Sequence, residues 1–504
     1  MPQATNDDPT SRASTRSASP HCGEDGDAFN ISQRPIRLLP TAPTLQRDSA
    51  VRTLSCLAFV SLLALLLPRH AVGKEAVADA PAKAESKAAI PTALQDYVAA
   101  PDDTYGYEVV GSEKVDGCTV HKLELTSQTW QDIVWKHALY IYVPANIQHK
   151  QTVLLFITGG KVGGTPSDDD MKMAAKIAQA AAMPVAFVHQ VPNQPLLGDK
   201  VEDDLISETF LRYVDSRDAT WPLLFPMVKS ATAAMTAVQD FGKQNYGVDV
   251  EQFVVTGGSK RGWTTWLTAV ADDRVAGIAP IVIDTLNLPA QMKYQLETWG
   301  EYSEQIGDYT SKGLVDVMQN QPEIPLWQWV DPYTYRSVLK LPKLLINGTN
   351  DRYWTVDATN IYWDDLKGEK HVRYVPNAGH GLDDGKEGAL TTLAVFAQHV
   401  AEDKPLPELK WTHEGDDGEY RLKISSTPTP ESVRLWVAKS DTKDFRNAKW
   451  EATELRVSDE AGGDGEEFIG VVEKPAEGHI ALFGEASYRQ GPLPYNLSTT
   501  LRRE

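Results

Sequence analysis

From about residue 119 the chain alternates short β-branched apolar runs with longer stretches in which apolar positions recur every three to four residues. That is the pattern of βαβ units on a largely parallel sheet. An early strand is predicted at 138–143, on an antiparallel edge. The run at 153–157 is apolar without interruption, as expected of a strand buried on both faces. Helical spacing follows at 169–182, then a strand at 185–188. A long amphipathic helix at 225–244 carries Met227, Ala231, Ala234, Met235, Val238 and Phe241 on one face. Further strands are predicted at 253–256, 278–283, 344–347 and 372–375, with helices at 260–271, 358–366 and 387–400. After Pro405 and Pro407 the texture changes to period two, at 420–424, 433–437, 468–472 and 479–483, with turn-rich stretches between. The expectation is a mostly parallel sheet with helices on both faces, followed by a small antiparallel β-domain.

The N-terminal part has no such periodicity. Residues 1–50 are polar and rich in Ser, Thr, Pro, Asp and Arg, and read as a disordered extension. Arg52 then precedes an apolar run of about 14 residues, against the roughly 20 a membrane span needs. Small residues Ala71 and Gly73 follow, so 51–73 reads as a signal peptide, with an uncleaved anchor as the alternative. Residues 74–90 are an Ala/Lys/Glu linker. The folded part divides into 91–404, with an insertion at 285–341, and 405–504, a sandwich-like β-domain. The expectation is an exported protein, periplasmic or secreted, with no stable membrane insertion once the signal is cleaved. The formal net charge of -20 argues against nucleic acid or an anionic membrane surface as the main partner. Of the three cysteines only Cys118 lies in the expected folded region, and no Cys/His cluster suggests a metal. No cofactor is expected, and the oligomeric state stays open.

The chemistry concentrates at three places. A strand, then Gly257-Gly258-Ser259-Lys260-Arg261-Gly262, then a helix is the arrangement of a nucleophile elbow, although the second glycine comes one place later than in G-x-S-x-G. Asp351 follows the strand at 344–347, and His380 follows the strand at 372–375. Ser, Asp, His is the chain order of α/β-hydrolases, with His380 as general base and Asp351 as its orienter. Asp284 is the rival acid. Oxyanion donors are sought in the amide of Lys260, at a helix start, and in Gly160 or Lys161 after an earlier strand. Lys260 and Arg261 beside the serine are unusual. Arg261 either pairs with a buried acid, or one of the two grips a substrate carboxylate. The insertion should cap the site, with Trp299, Trp329 and Trp354 as wall candidates against plain packing.

Five segments carry a family resemblance: TGGSKRGWTTWLTAV (256–270), WPLLFPMVKSA (221–231), WQWVDPYTYR (327–336), LPKLLINGTNDRYW (341–354) and VPNAGHG (375–381). With SDTKDFRNAKW (440–450), they resemble the PhoPQ-activated pathogenicity-related proteins. The resemblance implies an α/β-hydrolase fold, bacterial export, a loosely defined hydrolase role, and triad places at Ser259, Asp351 and His380. The Ser-[KR]-x-Gly elbow is also similar to that of esterases acting on glucuronoyl esters, which suggests a carboxylate-bearing substrate. The expected function is an exported serine esterase for small-molecule or carbohydrate esters. An exopeptidase or amidase of the same fold, or a non-catalytic ligand-binding protein, are the alternatives.

Overall fold

The uninterrupted apolar runs form the middle of a mixed sheet in a computed structural model that describes residues 89–415, 418–458 and 466–504. The N-terminal extension, the signal peptide and nearly all of the linker lie outside the described residues. The first nine strands are β1 (Gly106–Val115), β2 (Cys118–Trp130), β3 (Ile133–Pro144), β4 (Thr152–Ile157), β5 (Val185–Val188), β6 (Gln252–Gly258), β7 (Val275–Ile281), β8 (Lys343–Gly348) and β9 (Lys370–Val375). They lie in the order β1-β2-β3-β5-β4-β6-β7-β8-β9. From β5 to β9 all neighbours are parallel, whereas β1, β2 and β3 pair antiparallel with one another and β3 with β5. Every residue of β4, β5 and β8 is buried, which is why 153–157, 185–188 and 344–346 within them read as continuous apolar runs.

The helices are α1 (Ala93–Ala99), α2 (Asp168–Ala181), α3 (Glu202–Ser216), α4 (Leu224–Tyr246), α5 (Lys260–Ala271), α6 (Leu288–Trp299), α7 (Gly307–Thr310), α8 (Leu314–Asn320), α9 (Pro325–Val330) and α10 (Lys386–Ala401). Helices α1, α4 and α5 pack on one face of the sheet, and α2 and α10 on the other. This strand order with helical crossovers is the α/β-hydrolase fold. Helices α6 to α9 all fall between β7 and β8.

Three local expectations change. The strand expected on an edge is β3, which is longer and lies two strands in from the rim. The polar, largely exposed β1 gave no apolar periodicity to read. The helix expected at 358–366 is a pair of 3₁₀ turns, Ala358–Ile361 and Trp363–Asp365, whose Thr359 and Tyr362 turn inward to bond Asp284. Helix α3 was not anticipated, although Leu205, Ile206, Thr209, Phe210 and Tyr213 recur at helical spacing on its buried side.

After Pro405 the strands are β10 (Glu408–Gly415), β11 (Glu419–Thr427), β12 (Ser432–Ser440), β13 (Trp450–Leu455), β14 (Glu467–Glu473), β15 (His479–Gln490), β16 (Leu493–Ser498) and β17 (Arg502–Arg503), all antiparallel in their pairing. Strands β10, β11 and β14 form a separate sheet. Strands β16, β15, β12 and β13 continue the main sheet beyond β9, where Ser498 opposes Val372. Arg373 of β9 and Glu485 of β15 form a buried ion pair across that join. The C-terminal strands are therefore built onto the strand that leads into the loop of His380.

Candidate functional site

Strand β6 turns into α5 at Ser259, whose φ of 57° and ψ of -125° are rare for a residue with a side chain. Such a backbone costs on the order of 1–3 kcal/mol and persists only where its surroundings enforce it. The glycines explain how. A Cβ on Gly257 would lie 2.8 Å from both Cβ and the carbonyl oxygen of Arg261, and one on Gly262 would lie 2.5 Å from Ile283 Cγ2 and 2.9 Å from the carbonyl of Gly257. Gly262 is thus the position where helix and strand ends touch, so the glycine one place late does the steric work of the usual one. The turn lifts the Ser259 hydroxyl to the carboxyl end of the sheet, half-buried.

The loops after β8 and β9 bring two further side chains to that hydroxyl. His380 Nε2 is 2.8 Å from Ser259 Oγ, and His380 Nδ1 is 2.8 Å from Asp351 Oδ2. The other carboxylate oxygen of Asp351 accepts the amide of Tyr353 at 2.9 Å, which fixes the carboxylate plane. The Tyr353 ring lies against the imidazole with centroids 4.4 Å apart. Asp284 is elsewhere. It is buried and accepts from Thr359, Tyr362 and Asn347, and burial lifts its carboxyl to about 6 despite those bonds. His380 takes Asp351 as its partner, so the rival acid serves packing. Both loops are also held from the C-terminal strands. Asn350 donates to the carbonyl of Ala448 at 2.7 Å, while Asn377 exchanges two hydrogen bonds with the backbone of Trp450 at 2.7 and 3.0 Å.

Residues 94–446 match the family model of the PhoPQ-activated pathogenicity-related proteins. This chain belongs to that family. It is also similar to the autocrine proliferation repressor protein A of Dictyostelium discoideum, at 33% identity over 377 residues, which is 70% of this chain and 76% of that one. Among solved structures it is similar to acetyl xylan esterase 1 from a Thermoanaerobacterium species, with 15% identity, a TM-score of 0.42, and coverage of 61% of this chain and 91% of that one. A glucuronoyl esterase from Solibacter usitatus gives 14%, 0.41, 61% and 91%.

In this PhoPQ-activated family member the two cations beside the serine are both engaged from within. Arg261 is buried, and its fork binds Glu202 with two bonds of 2.7 Å while its Nε donates to the Val191 carbonyl at 2.6 Å. The ammonium of Lys260 is 2.8 Å from Asp203 Oδ2 and 3.6 Å from Glu202. Burial alone would raise the Glu202 carboxyl, but the charges and hydrogen bonds of Arg261 and then Lys260 outweigh it and hold the group at about 2. Of the two readings left open for Arg261, the structure has it paired with a protein acid: the first turn of α3 supplies both carboxylates. Sequence reading missed them; the acidic run 202–204 opening a helical pattern was the available signal.

Ser259, Lys260 and His380 border a cavity of about 80 Å³ whose other walls include Asp203 and Phe210 of α3, Trp263 of α5, Tyr353, Trp354 and side chains of the insertion, Trp327 among them. Trp299 and Trp329 do not border it. Trp299 lies under the guanidinium of Arg446, 4.2 Å away, and Trp329 packs on Tyr213 and Phe225 behind the site. Gly160, with φ of 113°, and Lys161 are exposed in the loop after β4 and do not border the cavity, although neighbouring Gly159 touches the guanidinium of Arg261. The Lys260 amide sits in the first turn of α5, among the amides a helix leaves without internal partners. Among the described residues no group of three or more His, Cys, Asp or Glu is placed to hold a metal ion, and no helix is long and apolar enough to cross a membrane.

Proposed function

We propose that this protein is a serine hydrolase that cleaves esters through an acyl-enzyme on Ser259. The observation that carries the reading is the unbroken hydrogen-bond chain from Ser259 Oγ through His380 to Asp351, 2.8 Å at each step. His380 Nε2 takes the hydroxyl proton as Ser259 attacks the ester carbonyl, and returns it to the leaving alcohol as the tetrahedral adduct collapses. Water then repeats the sequence against the acyl-enzyme, releasing the acid. Asp351 holds the imidazole by Nδ1–H and stabilises it when it becomes charged. The amide of Lys260, in the first turn of α5, donates to the developing oxyanion.

An exopeptidase or amidase would use the same residues; the ester is preferred because nothing in the sequence supplies a peptide-binding apparatus. Export directed by the segment 51–73, with cleavage near Gly73, belongs to the same proposal. The Dictyostelium relative is named for repressing proliferation, a name that describes signalling, so a non-catalytic ligand-binding role is the second reading. Hydrolysis of p-nitrophenyl esters separates the two. Wild type should turn them over, and Ser259→Ala should lower kcat by at least about 10³-fold. Equal rates in the two proteins would leave only the binding role.

A further inference from the structure

The charged groups that border the cavity beside Ser259 pair with one another, whereas the hydroxyl of Thr285 and the indole N–H of Trp354 are buried there without a partner among the described residues. Asp203 receives the Lys260 ammonium at 2.8 Å, the Tyr309 hydroxyl at 2.9 Å and the Tyr353 hydroxyl at 3.3 Å. Burial, and then the neighbouring Asp203, raise both phenols well above their ordinary range, so they stay neutral donors. Arg261 is neutralised by Glu202 on the far side of the elbow. Apart from those two neutral groups the lining is apolar: Phe210, Trp263, Leu288, Met292, Val315 and Trp327, among others, from α3, α5 and the insertion. No cation is left over for a substrate anion, and a carboxylate entering here would meet Asp203.

We infer that this cavity binds a neutral apolar portion of the substrate, the acyl chain or the alcohol of the ester, and that it excludes carboxylate-bearing esters of the uronate kind. The inference rests on the ester-hydrolase reading of Ser259. At about 80 Å³ the space is small and takes a short apolar group. Each methylene that enters such a space should improve kcat/KM about fourfold until the cavity is full.

The test measures kcat/KM of the full chain on two series: p-nitrophenyl esters from acetate to decanoate, and acetate esters from methyl to hexyl. Mono-p-nitrophenyl glutarate is compared with p-nitrophenyl valerate, which has the same chain length. We expect a rise of about fourfold per methylene in one series, ending within the series once the cavity is full. The glutarate should be at least 100-fold poorer than the valerate, because its carboxylate cannot be buried there without a partner. Val315→Phe should move the optimum to a shorter chain. Asp203→Asn, which frees the Lys260 ammonium, should raise the glutarate-to-valerate ratio at least tenfold. If either variant fails to fold, the wild-type profiles still decide. Ser259-dependent turnover with flat profiles in both series, or with glutarate equal to valerate, overturns this inference alone. No Ser259-dependent turnover of any ester overturns the parent reading.

Discussion

Replacing Glu202 by Gln should destabilise the protein at neutral pH and leave it nearly unaffected in strong acid. Glu202 takes both arms of the Arg261 fork at 2.7 Å, a bond from Gln194 at 2.5 Å, and the Lys260 ammonium at 3.6 Å. Its carboxyl stands at about 2 in the folded protein against an ordinary 4.5. The folded state therefore prefers the ionised form. The resulting stability is fully present above pH 4.5 and is lost as pH falls from there through about 2. At about 1.4 kcal/mol for each pH unit of depression, the upper bound is about 3 kcal/mol. About a third of the side chain remains in water (32%), which reduces the figure to about 2 kcal/mol. Gln keeps the shape and a carbonyl acceptor but leaves the Arg261 charge buried without its counter-ion. Urea unfolding at pH 7 should show Glu202→Gln less stable by about 2 kcal/mol with an unchanged m-value, and the gap should roughly halve by pH 3. A gap absent at pH 7, or as large at pH 3 as at pH 7, would show that the Arg261–Glu202 pair does not hold the elbow as described.

Three further outcomes follow from the geometry. Asp351→Asn should lower kcat by roughly 10⁴-fold by favouring the wrong imidazole tautomer, while Asp284→Asn should stay within about threefold of wild type; the reverse ranking in ester turnover would exchange the two acids. Gly262→Ala puts a methyl 2.5 Å from Ile283 Cγ2, so thermal unfolding should reveal a loss of about 1–3 kcal/mol, and an unchanged Tm would contradict the contact that shapes the elbow. Asn350→Ala removes the bond to Ala448 that steadies the turn of Asp351. Steady-state kinetics should show kcat down about tenfold with KM within twofold, whereas a change in KM alone would assign the C-terminal strands to substrate binding.

The parts of this molecule that were legible in the sequence are those whose environment imposes a local pattern. Residues 153–157, 185–188 and 344–346 of β4, β5 and β8 are buried on both faces and apolar without a break, and the segments that follow β6, β8 and β9 carry Ser259, Asp351 and His380. The rest depends on partners distant in sequence. Arg261 could bind a substrate acid or a protein acid with equal chemical sense; only the packing of α3 against the elbow, with Glu202 59 residues away, decides between them. Trp329, in α9, lies behind the site, whereas Trp354, in the loop after β8, stands on the cavity wall; only packing against elements distant in sequence sets them apart. The edge strand β1 alternates too weakly in polarity to announce itself, since most of its residues face water.

The most direct test of the Ser259 reading is covalent. Purified protein is incubated with a fluorophosphonate probe and its intact mass measured, beside Ser259→Ala and His380→Ala. Wild type should gain one adduct, mapped to Ser259 by peptide analysis; Ser259→Ala should gain none, and His380→Ala should react at least about 100-fold more slowly for lack of its base. A wild-type protein that stays unmodified, or an adduct that persists in Ser259→Ala, would contradict the account.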